Sequence, residues 1–205
     1  MTPIPLFPLN TVLYPDGHLP LQVFEVRYLD MVKKCIADER PFGVVPLLQG
    51  SEVRKPDQFE TLAGFGTFAQ IVQWAGPLPA LLHINTIGTG RFQIIRSDRL
   101  KNGLWMAEVD SVPADPVRDI PPEQQNVANA LGALIRSLQQ RGTTPDQMPL
   151  LPPYRLDEAG WVANRWCELL SLSVDQKLLL LMQSNPLLRL ELVQEVLAEN
   201  GLLKE

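Results

Sequence analysis

Ser173 and Lys177 are the pair whose residue types and spacing come closest to a catalytic group in this sequence. Four residues apart in a helical pattern, they would share one helix face, and a serine activated by a lysine is the nucleophile of some peptidases. Ser173 also has capping-box spacing with Gln176, and a lysine in an exposed first turn lacks the burial that would make it a base. We therefore predict a helix cap here and no catalytic residue in the chain.

Glycine pairs that could cradle a phosphate occur twice, as Gly64-x-Gly66 and Gly88-x-Gly90. A phosphate loop needs backbone N–H groups at a helix N-terminus and a lysine, whereas both pairs lie between strand patterns and neither is followed by Gly-Lys-Ser/Thr. We interpret Gly88 and Gly90 as a bulge or tight corner joining two strands, where a side chain would clash. The sequence therefore predicts no nucleotide cofactor.

Residues that could bind a metal or form a disulfide are few. The two histidines, His18 and His83, fall after a turn and in a distant strand pattern. The two cysteines, Cys35 and Cys167, are isolated in helical patterns, which is typical of buried thiols in a reducing compartment. We expect no metal site, no cofactor and no disulfide framework.

The corner at Phe24, Glu25, Arg27 and Tyr28 concentrates charges and aromatic rings where a strand turns into a helix. An arginine beside a carboxylate can form a partly buried pair, and a tyrosine can bury its ring while its hydroxyl finds a partner. The corner contains neither a nucleophile nor a histidine. We therefore interpret it as a structural motif that fixes the helix to the sheet.

The patterns around this corner predict the elements that must position it. Alternating apolar residues indicate a strand over 19–23, and apolar residues at intervals of three and four indicate a helix over 26–36. Residues 4–9, interrupted by prolines, are typical of an edge strand or clasp, and 42–48 of a buried strand. The segment 62–112 has the pattern of four strands that could curl into a small barrel. Glycine-containing turns are predicted between these four strands at Gly76–Pro79, 88–90 and 101–103.

The second half of the sequence is predicted to be helical. A proline-rich linker over 113–122 separates a β-barrel subdomain, 1–112, from a helical bundle subdomain, 123–205. Four helices are predicted to form the bundle. Their expected N-terminal residues are Pro122, Asp157, Ser173 and Asn185.

Several stretches together carry a family resemblance. The order PLFPLNTVLYP, LPLQVFEVRYLDM and FGVV, followed by GFGTFAQIVQW and IGTGRFQII, resembles the N-terminal, substrate-recognition domain of the ATP-dependent protease Lon. The resemblance spans nearly the whole chain and implies a PUA-like β pseudo-barrel followed by a helical bundle, with no chemistry of its own. The ATPase and peptidase modules of a Lon enzyme have no counterpart in this sequence, so we expect a freestanding, non-catalytic member.

The composition limits the classes of partner that this protein is expected to bind. The 205 residues, 45% of them hydrophobic, suffice for one large or two small cores, and the net charge is −5. Without a basic patch, RNA binding, which a PUA-like barrel could suggest, is the weaker alternative. We expect a cytoplasmic protein, because the N-terminus lacks the pattern of a signal peptide and no apolar run is long enough to span a bilayer.

Since no catalytic, nucleotide or metal site is predicted, we expect function to depend on binding by exposed apolar side chains on a rigid scaffold. The candidate peptide-binding residues are Trp74 and Leu78, near the Gly76–Pro79 turn, and Leu150, Leu151 and Tyr154 in a second proline-rich loop. Each of these side chains could instead pack into the core.

The sequence thus predicts a module that binds unfolded or flexible polypeptide, as an adaptor or regulator of proteolysis. Further candidate partners are a protease, a chaperone and a second copy of the chain. We expect no binding to a membrane. An unrecognised enzyme is the third alternative, and a deep polar pocket containing Glu25 or His83 would support it.

Overall fold

The computed structural model describes residues 3–52, 59–78, 80–144 and 147–203, so Pro79 of the predicted turn lies outside these ranges. The strands are β1 Ile4–Leu9, β2 His18–Val23, β3 Phe42–Gln49, β4 Thr61–Leu62, β5 Phe65–Leu78, β6 Leu81–Arg99 and β7 Trp105–Ser111. The helices are α1 Val26–Ala37, α2 Gln125–Gln140, α3 Ala159–Leu169, α4 Val174–Met182 and α5 Pro186–Glu199, with a 3-10 turn at Pro122–Gln124.

The chain divides into two compact units, Met1–Ala114 and Asp115–Glu205. The strands named above and α1 lie in the first unit, and α2 to α5 lie in the second. The fold is therefore the expected α+β combination, a β-rich pseudo-barrel with one helix followed by a helical bundle. The boundaries predicted from the sequence, 1–112, 113–122 and 123–205, concern which parts of the chain fold independently, and they stay a prediction.

The first unit is built on one curled sheet. Its strand order is β1-β7-β6-β5-β3-β4, with β2 paired to β6 and β1 also paired to β3. The β1–β3 pair is parallel and the other pairs are antiparallel. Because β1 pairs with both β7 and β3, the sheet bends back on itself as a pseudo-barrel.

Helix α1 packs against one face of this sheet. Its apolar residues recur with helical spacing, so that Tyr28, Leu29, Val32 and Cys35 form one buried face. These side chains join the core of the first unit, where the ring of Phe7 from β1 stacks on Tyr28 with 4.0 Å between ring centroids. The predicted passage from strand to helix is confirmed.

The edge-strand prediction for residues 4–9 is wrong. β1 lies between β7 and β3, with residues 4–6 paired to β7 and residues 6–9 paired to β3. Leu6 alone has partners on both sides, so each proline lies where only one neighbour needs a donor. The prolines are compatible with a central strand, because β7 pairs with the first part of β1 and β3 pairs with the second part.

The turn predicted at 88–90 is also wrong. β6 is one strand of 19 residues that runs through both glycines. The alternative prediction of a bulge is confirmed, because the β5–β6 register shifts between Thr67 and Ala69, opposite residues 88–91. A Cβ on Gly88 would lie 2.1 Å from the carbonyl oxygen of Tyr14, so glycine is required by the close approach of another backbone.

Two of the predicted helix starts are confirmed by hydrogen bonds. The Ser173 hydroxyl accepts from the Gln176 N–H at 3.2 Å, and the Ser173 N–H donates to the Gln176 side chain at 2.9 Å, which is a complete capping box. The Asn185 side chain accepts from the Leu187 N–H at 3.0 Å, with Pro186 as the first helical residue.

The predicted cap of α3 is wrong. The N-cap position belongs to Glu158, without a side-chain cap, rather than to Asp157. The Asp157 carbonyl instead accepts the Ile120 N–H at 3.2 Å, and Asp119 forms a β-bridge with Glu158. The preceding extended segment thus pairs with the residues that would otherwise cap the helix.

Candidate functional site

The distal part of the β5–β6 hairpin is the most exposed strand region of the first unit. We call residues 70–78 of β5 and 81–87 of β6 the hairpin arm. All β5 residues from 72 to 78 are exposed, and the apolar side chains of Trp74 and Leu78 are 55% and 62% accessible. Exposed apolar patches often mark interaction sites, and Trp74 and Leu78 lie on the same exposed stretch of β5.

The two strands of the arm are joined by cross-strand pairs. β-branched and aromatic residues favour the strand, and Gln73 faces Asn85, whose side-chain amide donates to the Gln73 side chain at 3.0 Å. Trp74 faces Ile84, and Ala75 faces His83. The pairing therefore sets which side chains of the arm share a face.

Trp74 lies on the core-facing side of the sheet. Its partner Ile84 is buried, and Leu21 of β2 faces Ile84 from the other side. Because neighbouring strands are about 4.8 Å apart, these three residues form a row about 10 Å long. Trp74 is thus the exposed end of a row whose centre belongs to the core.

Leu21, at the other end of the row, lines a cavity of about 200 Å³. Most of its lining is apolar, and Glu25 and Glu52 supply the carboxylates. His83 is not among the lining residues and is exposed on the arm. Glu25 thus lines a cavity, but one with a mostly apolar lining rather than the deep polar pocket that would support an enzyme. The apolar lining residues are Phe7, Leu9, Pro20, Leu21, Val23, Phe24 and Tyr28.

The charged residues of the corner form a buried network. The Arg27 Nε lies 3.0 Å from a Glu25 carboxylate oxygen, and its Nη1 donates to the Gly103 carbonyl at 2.7 Å. Nη1 also lies 3.7 Å from Glu60, whose carboxylate accepts the Trp105 indole N–H at 2.6 Å. Sequence reasoning missed Glu60, Gly103 and Trp105, because no local pattern connects them to the corner.

The aromatic residues of the corner have different environments. Tyr28 is buried, with the Arg27 guanidinium 4.5 Å from its ring centroid, whereas Phe24 is about half exposed. Burial raises the pKa of the Tyr28 phenol, and the positive charge of Arg27 lowers it to a smaller extent. The phenol is therefore protonated at neutral pH.

The second group of candidate peptide-binding residues lies in the second unit. Leu150 is only 1% exposed, so the structure favours the packing alternative for this residue. Leu151 and Tyr154 are partly buried, and the Tyr154 ring lies 6.4 Å from that of Trp161. Only the first group, Trp74 and Leu78, is freely accessible.

Groups that could perform chemistry are engaged elsewhere. Ser173 caps α4, and the Lys177 ammonium donates to the Glu168 carbonyl at 3.2 Å. Cys35 lines a second cavity of about 330 Å³, and burial raises the pKa of its thiol to about 11, so it is not a thiolate at neutral pH.

The described ranges contain neither a metal-binding cluster nor a helix able to span a membrane. No cluster of three or more His, Cys, Asp or Glu residues that could hold a metal occurs there. None of the helices in these ranges combines the length and the apolar character that crossing a membrane requires.

A family model matches residues 3–199, and its description is "ATP-dependent protease La (LON) substrate-binding domain". Among curated proteins, Lon protease 2 of Sorangium cellulosum (strain So ce56) is 28% identical over 162 residues, 78% of this chain and 18% of that protein. Protein cereblon of Gallus gallus is 27% identical over 162 residues, 77% of this chain and 33% of its own length. The match thus spans a third or less of these relatives.

Solved structures show the same fold. The Lon N-terminal domain protein from Xanthomonas campestris has a TM-score of 0.71 and 31% identity, with 95% of this chain and 98% of that chain covered. The N-terminal domain of Mycobacterium avium complex Lon protease has a TM-score of 0.60 and 19% identity, with 95% and 97% covered, and supports the fold alone.

Proposed function

The chain belongs to the Lon substrate-binding domain family, and we propose on this basis that it recognises unfolded polypeptide through the apolar side chains of the hairpin arm. The observation that carries the proposal is the exposure of Trp74 and Leu78 on a paired hairpin. Unfolded chains offer apolar side chains that are buried in folded proteins, and an exposed apolar surface is complementary to them.

The size of the expected effect follows from the area that Trp74 can still bury. A tryptophan buries up to about 250 Å², so covering its exposed half removes about 100 Å² from water and contributes about 2–3 kcal/mol before ordering costs. After the ordering costs are subtracted, about 1–2 kcal/mol of binding free energy remains, which corresponds to a factor of about ten in Kd.

Binding of a labelled unfolded protein tests the proposal. We expect fluorescein-labelled, reduced and carboxymethylated α-lactalbumin to bind with a Kd in the micromolar range, and Trp74→Ala to raise that Kd about tenfold, as measured by fluorescence anisotropy. Leu179→Ala is the control, because Leu179 is also a large apolar residue, 68% exposed, but lies on α4 of the second unit. No binding at high micromolar concentration, or equal losses in both variants, would contradict the proposal.

We further propose that the protein acts as an adaptor or regulator of proteolysis and does not itself cleave what it binds. The capped Ser173 and the hydrogen-bonded Lys177 support the second part. The α-lactalbumin probe should remain intact over hours with the protein alone, as judged by gel electrophoresis. Its degradation by a Lon protease should change in rate when the protein is added, and a rate that is unaffected would argue against the regulatory role.

A further inference from the structure

Among the described residues, no strand pairs with one edge of β5 along the arm. β5 is flanked by both β3 and β6 only as far as Ala69, which faces Phe42 of β3. From Gln70 to Leu78 its pairing partner within the described ranges is β6 alone. The N–H and C=O groups of this stretch that do not pair with β6 therefore point away from the sheet, apart from Pro77, which has no N–H.

This edge lacks most of the features that normally prevent a strand from pairing with another chain. Residues 70–76, QIVQWAG, carry no charge and no proline, and they include β-branched and aromatic residues that favour strands. Exposed edges are usually protected by lysines, prolines, bulges or a covering segment. A bulge beside Val72 is present, but residues 72–78 remain exposed to solvent.

We propose that the open edge of β5, residues 70–78, binds an extended segment of unfolded polypeptide as an additional β-strand. This inference rests on the proposed function and specifies its mode. Backbone hydrogen bonds provide affinity that does not depend on the sequence of the bound segment. The side chains add a preference, since Trp74 lies on one face and Gln73 and Ala75 lie on the other. The bound segment would place one row of alternating apolar side chains beside Trp74.

The register of β5 favours a flexible partner over a second copy of the chain. The β5–β6 pairing shifts between Ile71 and Gln73 and again between Ala75 and Leu78. Two copies pairing through these edges would have to match the bulges of two folded arms at once. An unfolded segment can adapt its backbone to the bulges as it binds.

Backbone methylation of a peptide separates strand addition from side-chain binding. The probe is a fluorescein-labelled ten-residue peptide of alternating valine and threonine with flanking lysines, and two further forms carry N-methyl groups on one or the other set of alternate residues. We expect one methylated form to bind the full chain like the unmodified peptide and the other to lose affinity about tenfold or more, because only one row of amides faces β5.

The outcomes distinguish this inference from the proposed function. Equal binding of all three peptides, or no binding of the unmodified one, would overturn strand addition while α-lactalbumin binding still supports polypeptide recognition. Failure of the peptides and of carboxymethylated α-lactalbumin alike would overturn both.

A charge placed on the edge provides an independent test. Val72→Lys should raise the Kd of the unmodified peptide about tenfold, whereas His83→Lys, exposed on β6 between two paired strands, should change it less than about twofold. Hydrogen exchange should show slower exchange of amides within 70–78 when the peptide binds, with residues 82–87 unchanged as the internal reference. A peptide-free dimer that Val72→Lys dissociates would assign the edge to a second copy and overturn the proposal.

Discussion

Arg27 shows how one residue defines the corner of the first unit. Its guanidinium is buried against Tyr28 and contacts Glu25, Glu60 and the carbonyl of Gly103. Burying a cation costs several kcal/mol in desolvation, and these contacts offset part of that cost, while the Arg27 Nη2 is buried without a hydrogen-bond partner among the described residues. The corner therefore joins α1 to the β6–β7 turn by electrostatics and hydrogen bonding.

Removal of this cation should leave two carboxylates without their partner. We expect Arg27→Met to lower the free energy of unfolding by about 3–5 kcal/mol, because Glu25 and Glu60 remain partly or fully buried. Urea denaturation followed by circular dichroism measures the change. The matched control is Arg96→Met, since Arg96 pairs with Asp98 at the exposed surface and such pairs contribute less than about 1 kcal/mol. Equal effects of the two substitutions would show that the Arg27 network is not structurally important.

Among the elements, β6 determines the shape of the sheet. It pairs with β2, β5 and β7 along its 19 residues, so it belongs both to the curled core and to the arm. The Tyr14 carbonyl lies directly against the backbone of β6 at Gly88. The Gly88 N–H donates to the Gly17 carbonyl at 2.9 Å. The strand can continue through this crossing only because position 88 has no side chain.

Gly88→Ala should therefore be strongly destabilising. The added methyl group would meet the Tyr14 carbonyl oxygen at 2.1 Å, so backbone must move, and we expect a loss of at least about 2 kcal/mol in the free energy of unfolding. Gly64→Ala serves as the control, because no atom lies within 4 Å of its added Cβ, and we expect a change below about 0.5 kcal/mol. Thermal denaturation compares the two, and a tolerated Gly88→Ala would mean that the Tyr14 segment can move aside.

For the molecule as a whole, the second unit includes part of the proline-rich stretch. Arg189 of α5 is buried and donates to the Asp115 carboxylate at 2.6 and 3.2 Å. It also donates to Asn164 at 2.9 Å, to the Leu180 carbonyl at 3.0 Å and to the Gln183 carbonyl. Residues from 115 onward are thus tied to the helices, although their sequence is that of a linker.

Fragments of the second unit test this attachment. We expect residues 115–205 to fold cooperatively on their own, and residues 123–205 to be less stable by about 3 kcal/mol or more, because Arg189 then keeps its burial without its carboxylate partner. Asp115→Asn in the longer fragment should give part of the same loss and controls for chain length. Urea denaturation followed by circular dichroism compares the two fragments and the Asp115→Asn variant. Coincident midpoints would exclude a structural role for the Asp115–Arg189 pair.

By itself, the sequence determined the features that depend on neighbours along the chain. The change from strand to helix before Val26, the capping box at Ser173 and the Asn185–Pro186 helix start each follow from the types of a few adjacent residues. The family and the order of a β-rich unit and a helical unit were also predictable, because motifs and periodicities extend over most of the chain.

Only the tertiary structure decided which distant segments meet. It placed β1 between two strands, continued β6 through Gly88, brought Glu60 to Arg27 and left one edge of β5 open beside Trp74. Strand pairing and the burial of a charge are set by partners tens of residues away, and alternating apolar residues predict a strand without specifying its neighbours. The accessibility of Trp74 and Leu78 therefore depends on where the β3–β5 pairing ends.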